Sequence, residues 1–282
     1  MKIVIIGASG FLGTKLMNLL LKENEVIGAS IPFSGNFKEL DATNKEQVFY
    51  FLKKENPEVV IDLVALTSSL ACEQNPKLCK KLNFETAKNI ADACKEINAT
   101  MIFVSSSYVF DGKKGNYTEE DITNPLNQYG KYKVLAEKEV LKLKKSIVLR
   151  TAIMYGYNGK DKPNGVFDKV LSGENIILGD PTQLRNPLFV DDVAVIISSL
   201  LKKKQSGLFH MAGPENMTMF DFLKKLEGIV RKDSKIVLDF PKKSLVVHPK
   251  KDTLDISKLN LLGIKTHSFK EGLKLLKKQV FP

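Results

Sequence analysis

No run of apolar residues in this chain approaches the roughly 18 that a membrane span requires. The opening stretch MKIVIIGASG also lacks the cleavage pattern of a secretory signal, so a cytoplasmic location with no membrane partner is expected. Cysteine is scarce. Cys72, Cys79 and Cys94 are odd in number and match no zinc spacing, which argues for reduced thiols and against a disulfide framework or structural metal. Low-complexity tracts and internal repeats are missing. So are helix-turn-helix and RNA-binding signatures, which matters because a formal charge of +11 would otherwise invite a nucleic-acid reading. The lysines are spread through nearly every helical segment, often as KK pairs beside apolar residues, as solvated helix faces are. No nucleic-acid partner is expected, and the surplus charge favours a small anionic ligand over a cationic one.

What is present suits a folded globular protein: 282 residues, 43% hydrophobic and 27% charged, enough for one large α/β domain or two unequal ones. Lys2 to Ile6, KIVII, is a β-branched run without polar alternation, as a strand covered on both faces of a parallel sheet requires. It runs into GASGFLG, where Gly7, Gly10 and Gly13 are spaced G-x-x-G-x-x-G, and then into the amphipathic TKLMNLLLKE. Missing side chains let a pyrophosphate approach the backbone, and a helix N-terminus offers it free N–H groups and partial positive charge. A tight strand-to-helix turn without a ligand would leave the same trace.

EVIGAS, Glu25 to Ser30, reads as the second strand. The acidic residue that holds adenosine ribose hydroxyls in NAD-preferring folds is missing from its end. Ser30 stands about there and Lys38 follows, so NADP or dual use is favoured slightly over strict NAD use. Asp41, in ELDATN, is either an adenine-side contact or a turn carboxylate. VVIDLVAL, residues 59–66, is another buried strand, ending in Thr67 and two serines at the edge where open parallel sheets bind ligands. A helical stretch is expected over residues 76–98, with Asn83 interrupting its amphipathic pattern. Residues 101–104 form a further strand leading into Ser105, Ser106 and Ser107, hydroxyls that could serve a bound carbonyl or simply a turn.

In QYGKYK, residues 128–133, Tyr129 and Lys133 stand at i, i+4 on a helical stretch and share a face. An ammonium near a phenol favours phenolate and makes the phenol a better proton donor in hydride chemistry. Spacing alone is weak, because Tyr50 and Lys54 repeat it in a lysine-rich region.

Together GASGFLG, VSSSYVFDGKKGNYTEED and NPLNQYGKYKVLAEKEV resemble the extended short-chain dehydrogenases/reductases in order and spacing. More narrowly, SSYVFDG followed by NPxxxYGxxKxxxE, ending at Glu137, resembles the dTDP-4-dehydrorhamnose reductase branch. LRTAIMYG, GDPTQLRNPLFVDDVA, SGLFHMAGPENMTMFDF and HPKKDTLDISKLNLLGI extend the likeness over most of the chain. The resemblance implies Tyr129 as proton donor or acceptor, Lys133 as its partner and nicotinamide-ribose contact, and Ser106 as the hydroxyl residue, with Ser107 the alternative register. It also implies Gly7, Gly10, Phe11, Leu12 and Gly13 around the pyrophosphate, Ser30, Asp41 and Ala42 at the adenosine end, and Ala65 near the ribose. Thr67, Ser107 and Arg185 would meet the substrate, with Arg185 on its phosphate. For Arg185 a surface salt bridge is the other reading.

Departures fall on the sugar side. The branch often carries a tryptophan after the LRT strand, where this Trp-free chain has Ile153; SSLACE replaces a more polar segment; His248 stands where arginine is more usual. The expected architecture is a doubly wound, Rossmann-like parallel sheet with a smaller C-terminal lobe. Residues 1–152 and 187–210 would bind cofactor, and residues 153–186 and 211–282 substrate. The expected activity is NAD(P)H-dependent reduction of a 4-keto group on a nucleotide-linked deoxysugar, without a metal, with a homodimer left open. An epimerase or dehydratase of the same fold is the enzymatic alternative. A regulatory subunit resembling the methionine adenosyltransferase β subunit is the non-catalytic one.

Overall fold

β1 (Lys2–Ile6) forms where the sequence alternates nothing: its β-branched residues are buried on both faces. α1 (Phe11–Leu20) leaves directly from the glycine turn, β2 (Glu25–Ser30) pairs parallel to β1, and β3 (Lys38–Glu39) extends that edge. α2 (Lys45–Glu55) begins at Asn44, whose side chain accepts the Gln47 N–H, and ends at Asn56 in the left-handed region. β4 (Val59–Asp62) leads to α3 (Ser69–Gln74), capped by Ser68, and α4 (Pro76–Lys80), capped by Asn75. A π-helical turn at Lys81–Glu85 joins α4 to α5 (Thr86–Glu96), so the single helix expected over residues 76–98 is two helices joined by a bulge. β5 (Thr100–Ser106), α6 (Gln128–Val140) and β6 (Ser146–Thr151) complete this half.

Short pieces follow: β7 (Met154–Tyr155), α7 (Val166–Ser172), β8 (Ile176–Leu178), β9 (Leu184–Arg185) and β10 (Leu188–Phe189). Next come α8 (Val190–Lys202), β11 (Gly207–Met211), β12 (Met217–Thr218), α9 (Met219–Val230) and β13 (Ile236–Leu238). β14 (Lys251–Asp252), α10 (Ser257–Leu261) and α11 (Phe269–Val280), which opens on a Ser268–Glu271 capping box, close the chain. The computed structural model describes residues 1–31, 37–158, 166–173, 175–230, 236–238 and 245–281.

The main sheet has seven strands in the order β11-β6-β5-β4-β1-β2-β3, each pair parallel. One apolar layer lies between it and α1 and α8, with Leu16, Val193 and Ile197 at its centre. A second lies beneath α2, α5 and α6 around Phe103, Ile90 and Ala136. Helices on both faces of a parallel sheet make the doubly wound Rossmann-like arrangement expected from the sequence. A separate apolar cluster around Phe222, Phe269 and Tyr155 joins α7, α9, α11 and the small pairs β8–β13 and β7–β10. The strand order turns outward from β1 in both directions, and that crevice holds the candidate site.

Candidate active site

Three glycines shape the turn after β1, each differently. Gly7 has a φ of +88°, a region L side chains rarely adopt. At Gly13 a Cβ would stand 2.5 Å from the Gly7 carbonyl oxygen and 2.7 Å from Ala8 Cα, so α1 can press onto the turn only without one. At Gly10 a Cβ would touch nothing closer than the Gly7 oxygen, at 3.4 Å. The space in front of Gly10 is therefore open, and it faces two cavities.

The first, about 260 Å³, is lined by Gly7, Gly10, Ser30, Asp41, Ala42 and Ala65 among others. The second, about 530 Å³, is lined by Gly7, Gly10, Phe11, Leu12, Gly13, Ala65 and Thr67, and at its far end by Tyr129, Lys133 and Ile153. They meet at Gly7, Gly10, Leu63 and Ala65, giving one trough along the carboxyl edge of the sheet. Ser30 is buried and its hydroxyl lacks a partner among the described residues. Asp41 Oδ1 accepts from the Thr43 N–H and hydroxyl at 2.9 and 2.6 Å, so this carboxylate shapes a turn while lining the trough.

Asn83 holds the wall between β4 and α3. Its carboxamide oxygen accepts the Leu66 N–H at 2.8 Å and its nitrogen donates to the Leu66 carbonyl at 3.1 Å, fixing the backbone between Ala65 and Thr67. The π-helical turn that carries Asn83 is thus the mark of that inward carboxamide. Its sequence trace was the polar break in an amphipathic helix.

Tyr129 lies in the first turn of α6, where Asn127 accepts the Gly130 N–H at 3.0 Å and Gln128 N–H donates to Glu73 at 2.7 Å. A Cβ on Gly130 would collide with the Tyr108 carbonyl oxygen, so glycine after Tyr129 lets this helix start against the loop that follows β5. Burial pushes the Tyr129 phenol up and the Ser106 hydroxyl beside it pulls the other way, leaving it protonated at neutral pH. Lys133 Nζ donates to the Val104 carbonyl at 2.9 Å and lies 4.6 Å from the Phe103 ring centroid. Burial pulls Lys133 down to about 8, opposed mainly by Asp62. The expected influence of the ammonium on the phenol is thus secondary here: Tyr129 is governed by burial and Ser106, and Lys133 answers to Asp62.

The neighbouring serines part company. Ser106 stands beside Tyr129, whereas Ser107 is buried beside Asp252 on β14. Arg185 is also buried and engaged, with Nε 3.4 Å from Asp252 Oδ2, Nη1 donating to the Leu184 and Pro249 carbonyls, and Nη2 donating to Gln183 at 2.9 Å. The salt bridge that the sequence reading placed on the surface is a buried one here. Beside it Tyr108 OH and His248 Nδ1 are 3.1 Å apart, and the Tyr108 ring meets Tyr129 edge-on at 5.9 Å. Burial, then the Arg185 charge, pull His248 down from the ordinary histidine range, keeping it neutral.

A network behind the site escaped the sequence reading. Glu137 accepts Ser105 Oγ at 2.5 Å and Arg150 Nε at 2.9 Å on one oxygen, and Arg150 Nη2 at 2.7 Å on the other. Arg150 Nη1 also approaches His210 Nε2 at 3.5 Å, while His210 Nδ1 faces the Tyr117 carbonyl at 3.0 Å. Glu137 was visible as the last letter of NPxxxYGxxKxxxE, but nothing local named its partners.

A doubly wound sheet, a glycine turn under a two-part trough, and a tyrosine and lysine one helical turn apart at its end define a Rossmann-like protein of the extended short-chain dehydrogenase/reductase type. A family model described as the RmlD substrate binding domain matches residues 1–281, and the chain belongs to that family. It is 31% identical to methionine adenosyltransferase 2 subunit beta of Mus musculus, across 97% of this chain and 86% of that protein. It also matches the crystal structure of a dTDP-4-dehydrorhamnose reductase from Clostridium acetobutylicum with a TM-score of 0.88, 29% identity and 99% coverage of both chains. A Bacillus anthracis dTDP-4-dehydrorhamnose reductase structure in complex with NADP matches with a TM-score of 0.87, 25% identity and 99% coverage of both.

Proposed function

We propose that this protein is an NAD(P)H-dependent reductase of the 4-keto group of a nucleotide-linked deoxysugar. The observation that carries the reading is the trough: open before Gly10, continuous from Ser30 to Tyr129, and ending at the Tyr129 phenol, which has the Ser106 hydroxyl beside it. Its fit to a dinucleotide rests on the helix N-terminus and on the missing Cβ at Gly10. Gly7, Gly10, Phe11, Leu12 and Gly13 would hold the pyrophosphate, Ser30, Asp41 and Ala42 the adenosine end, and Ala65 and Lys133 the nicotinamide ribose. The cofactor supplies hydride to the carbonyl carbon. Tyr129, a protonated phenol at neutral pH, gives its proton to the developing alkoxide oxygen, and Ser106 donates a hydrogen bond to the same oxygen.

NADPH is favoured slightly over NADH because Ser30, at the end of β2, presents no carboxylate. Residues 1–152 and 187–210 are assigned to cofactor, and residues 153–186 and 211–282 to substrate. The substrate contacts are drawn from Thr67, Ser107 and Arg185, with Arg185 turning from Asp252 to the substrate phosphate. Cytoplasmic residence belongs to the same reading, with a homodimer left open.

A second reading, a cofactor-binding regulatory subunit like the mouse relative, draws on one observation. Arg185 is held by Asp252 and two carbonyls, partners that a substrate phosphate would have to displace. The test is NADPH oxidation across a panel of nucleotide-linked 4-keto-6-deoxysugars, beside NADPH titration by nicotinamide fluorescence. Turnover of any member supports the reductase. Tight NADPH binding without turnover across the panel favours the subunit, and no binding refutes both.

A further inference from the structure

Asp62 ends β4 and is completely buried. Its register neighbours are Ile6 on β1 and Phe103 on β5. Both pack in the layer beneath α5 and α6, so strand alternation sends the Asp62 side chain to that same face. Oδ1 accepts the Val64 N–H at 3.0 Å, while Oδ2 has no hydrogen-bond partner among the described residues. A buried carboxylate with one bare oxygen is costly unless a cation compensates it. Lys133 is the cation that faces it, though not within the 4.0 Å of a direct ion pair: its Nζ stands over Phe103, the residue paired with Asp62, and is tied to the carbonyl of the next residue, Val104.

We propose that Asp62 is the counter-ion of Lys133 and, through it, a positioning residue of the cofactor site, keeping the ammonium charged and aimed where it meets ribose hydroxyls. The positioning role rests on the cofactor reading above; the charge pair does not. The other groups facing the pair do not replace Asp62. Glu137 faces Lys133 from the same helix but is committed to Arg150 and Ser105. Cys72 on α3 and Cys79 on α4 also face Lys133, and Cys94 on α5 faces Asp62. Burial raises the Cys72 and Cys94 thiols well above their ordinary range, so neither carries charge at neutral pH. Burial pushes Asp62 up to about 6, with Lys133 the main opposing influence, and Lys133 loses its proton near 8. Between those limits both are charged, and cofactor affinity should fall off on either side.

Two measurements test this on the full chain. The first is an NMR titration of ¹³C-labelled lysine side chains, with the Lys133 signal assigned by its loss in Lys133→Met. Asp62→Asn keeps the shape and removes the charge, so Lys133 should titrate about one pH unit lower. The second is NADPH affinity from about pH 5.5 to about pH 9.5. Asp62→Asn should lose the acid limb and bind about fivefold more weakly near pH 8, where less of Lys133 is charged. An unmoved Lys133 titration overturns the pair. A moved titration with superimposable NADPH curves overturns the positioning role. A wild-type protein that never binds NADPH, with Lys133 still moved by Asp62→Asn, leaves the pair standing and removes the cofactor reading. Should Asp62→Asn not fold, the reciprocal shift decides: the Asp62 carboxyl must titrate higher in Lys133→Met than in wild type, and an unchanged value overturns the pair. A purely structural Asp62 would lower thermal stability without moving either titration.

Discussion

Replacing Glu137 by alanine is the sharpest single perturbation of the frame behind the site. The change removes an acceptor from three donors, Ser105 Oγ, Arg150 Nε and Arg150 Nη2. It strands the guanidinium, whose side chain is only 5% exposed in the ion pair. Among the described residues no other carboxylate is paired with it, and its remaining hydrogen-bond neighbour is His210, which burial and the Arg150 charge pull down to about 3 and so keep neutral. Truncating one member of a buried ion pair costs roughly 3–5 kcal/mol. For a chain of 282 residues that corresponds to a melting temperature lower by roughly 5–10 °C. Glu137→Gln keeps the shape and one acceptor and should cost about 1–3 kcal/mol. Urea unfolding followed by circular dichroism reads both, with unchanged slopes required for the comparison. Replacing the pair together, Glu137→Leu with Arg150→Met, should cost less than Glu137→Ala alone, because no charge is left bare. A loss below about 1 kcal/mol for Glu137→Ala would show that the network is not a buried ion pair in solution.

Given an active substrate, Tyr129→Phe should lower turnover by roughly 10² to 10⁴-fold with NADPH affinity little changed, while Tyr50→Phe serves as control. Equal, small effects at both would reduce Tyr129 to packing. Ser30→Asp should shift preference from NADPH toward NADH by repelling a 2′-phosphate, read from the two dissociation constants. A wild-type preference for NADH of about tenfold or more, worth about 1.4 kcal/mol, would contradict the reading of Ser30. Since the folded pKa of His210 lies near 3, below the ordinary 6.5, the unfolded chain binds the extra proton between them. Stability should therefore decline as pH falls through that window, and less so in His210→Gln. Equal pH dependence in the two would refute it. Gly130→Ala should lower turnover more than it lowers stability, since the collision with the Tyr108 carbonyl displaces the helix turn that carries Tyr129. Unchanged turnover would show that the loop yields instead.

Much of this molecule was legible because local patterns wrote it. KIVII needed no partner to be recognised as a buried strand, nor EVIGAS as a strand, and the glycine spacing after β1 announced the turn that Gly7 and Gly13 build. Charged residues within buried elements were harder. Asp62 sits inside VVIDLVAL, and an apolar run does not say what its one carboxylate faces. Arg185 reads in sequence as a phosphate contact or a surface salt bridge, yet its donors reach Pro249, 64 positions on. Arg150 and His210 are 60 apart and meet only because β11 lies beside β6. Two-residue strands such as β9 and β14 carry too little periodicity to be foreseen.

The two ends of the trough differ in what they are made of. Around Gly7, Gly10 and Ala65 the walls are main chain, with Asn83 gripping the backbone at Leu66. Beyond Tyr129, around Ser107, Tyr108, His248 and Asp252, the walls are side chains brought together from distant loops. Main-chain walls survive most substitutions, whereas a side-chain wall is rewritten by one or two. Over evolutionary time the first end should stay fixed while the second drifts. A lineage built this way can give rise to reductases and to a subunit of another enzyme without changing its frame.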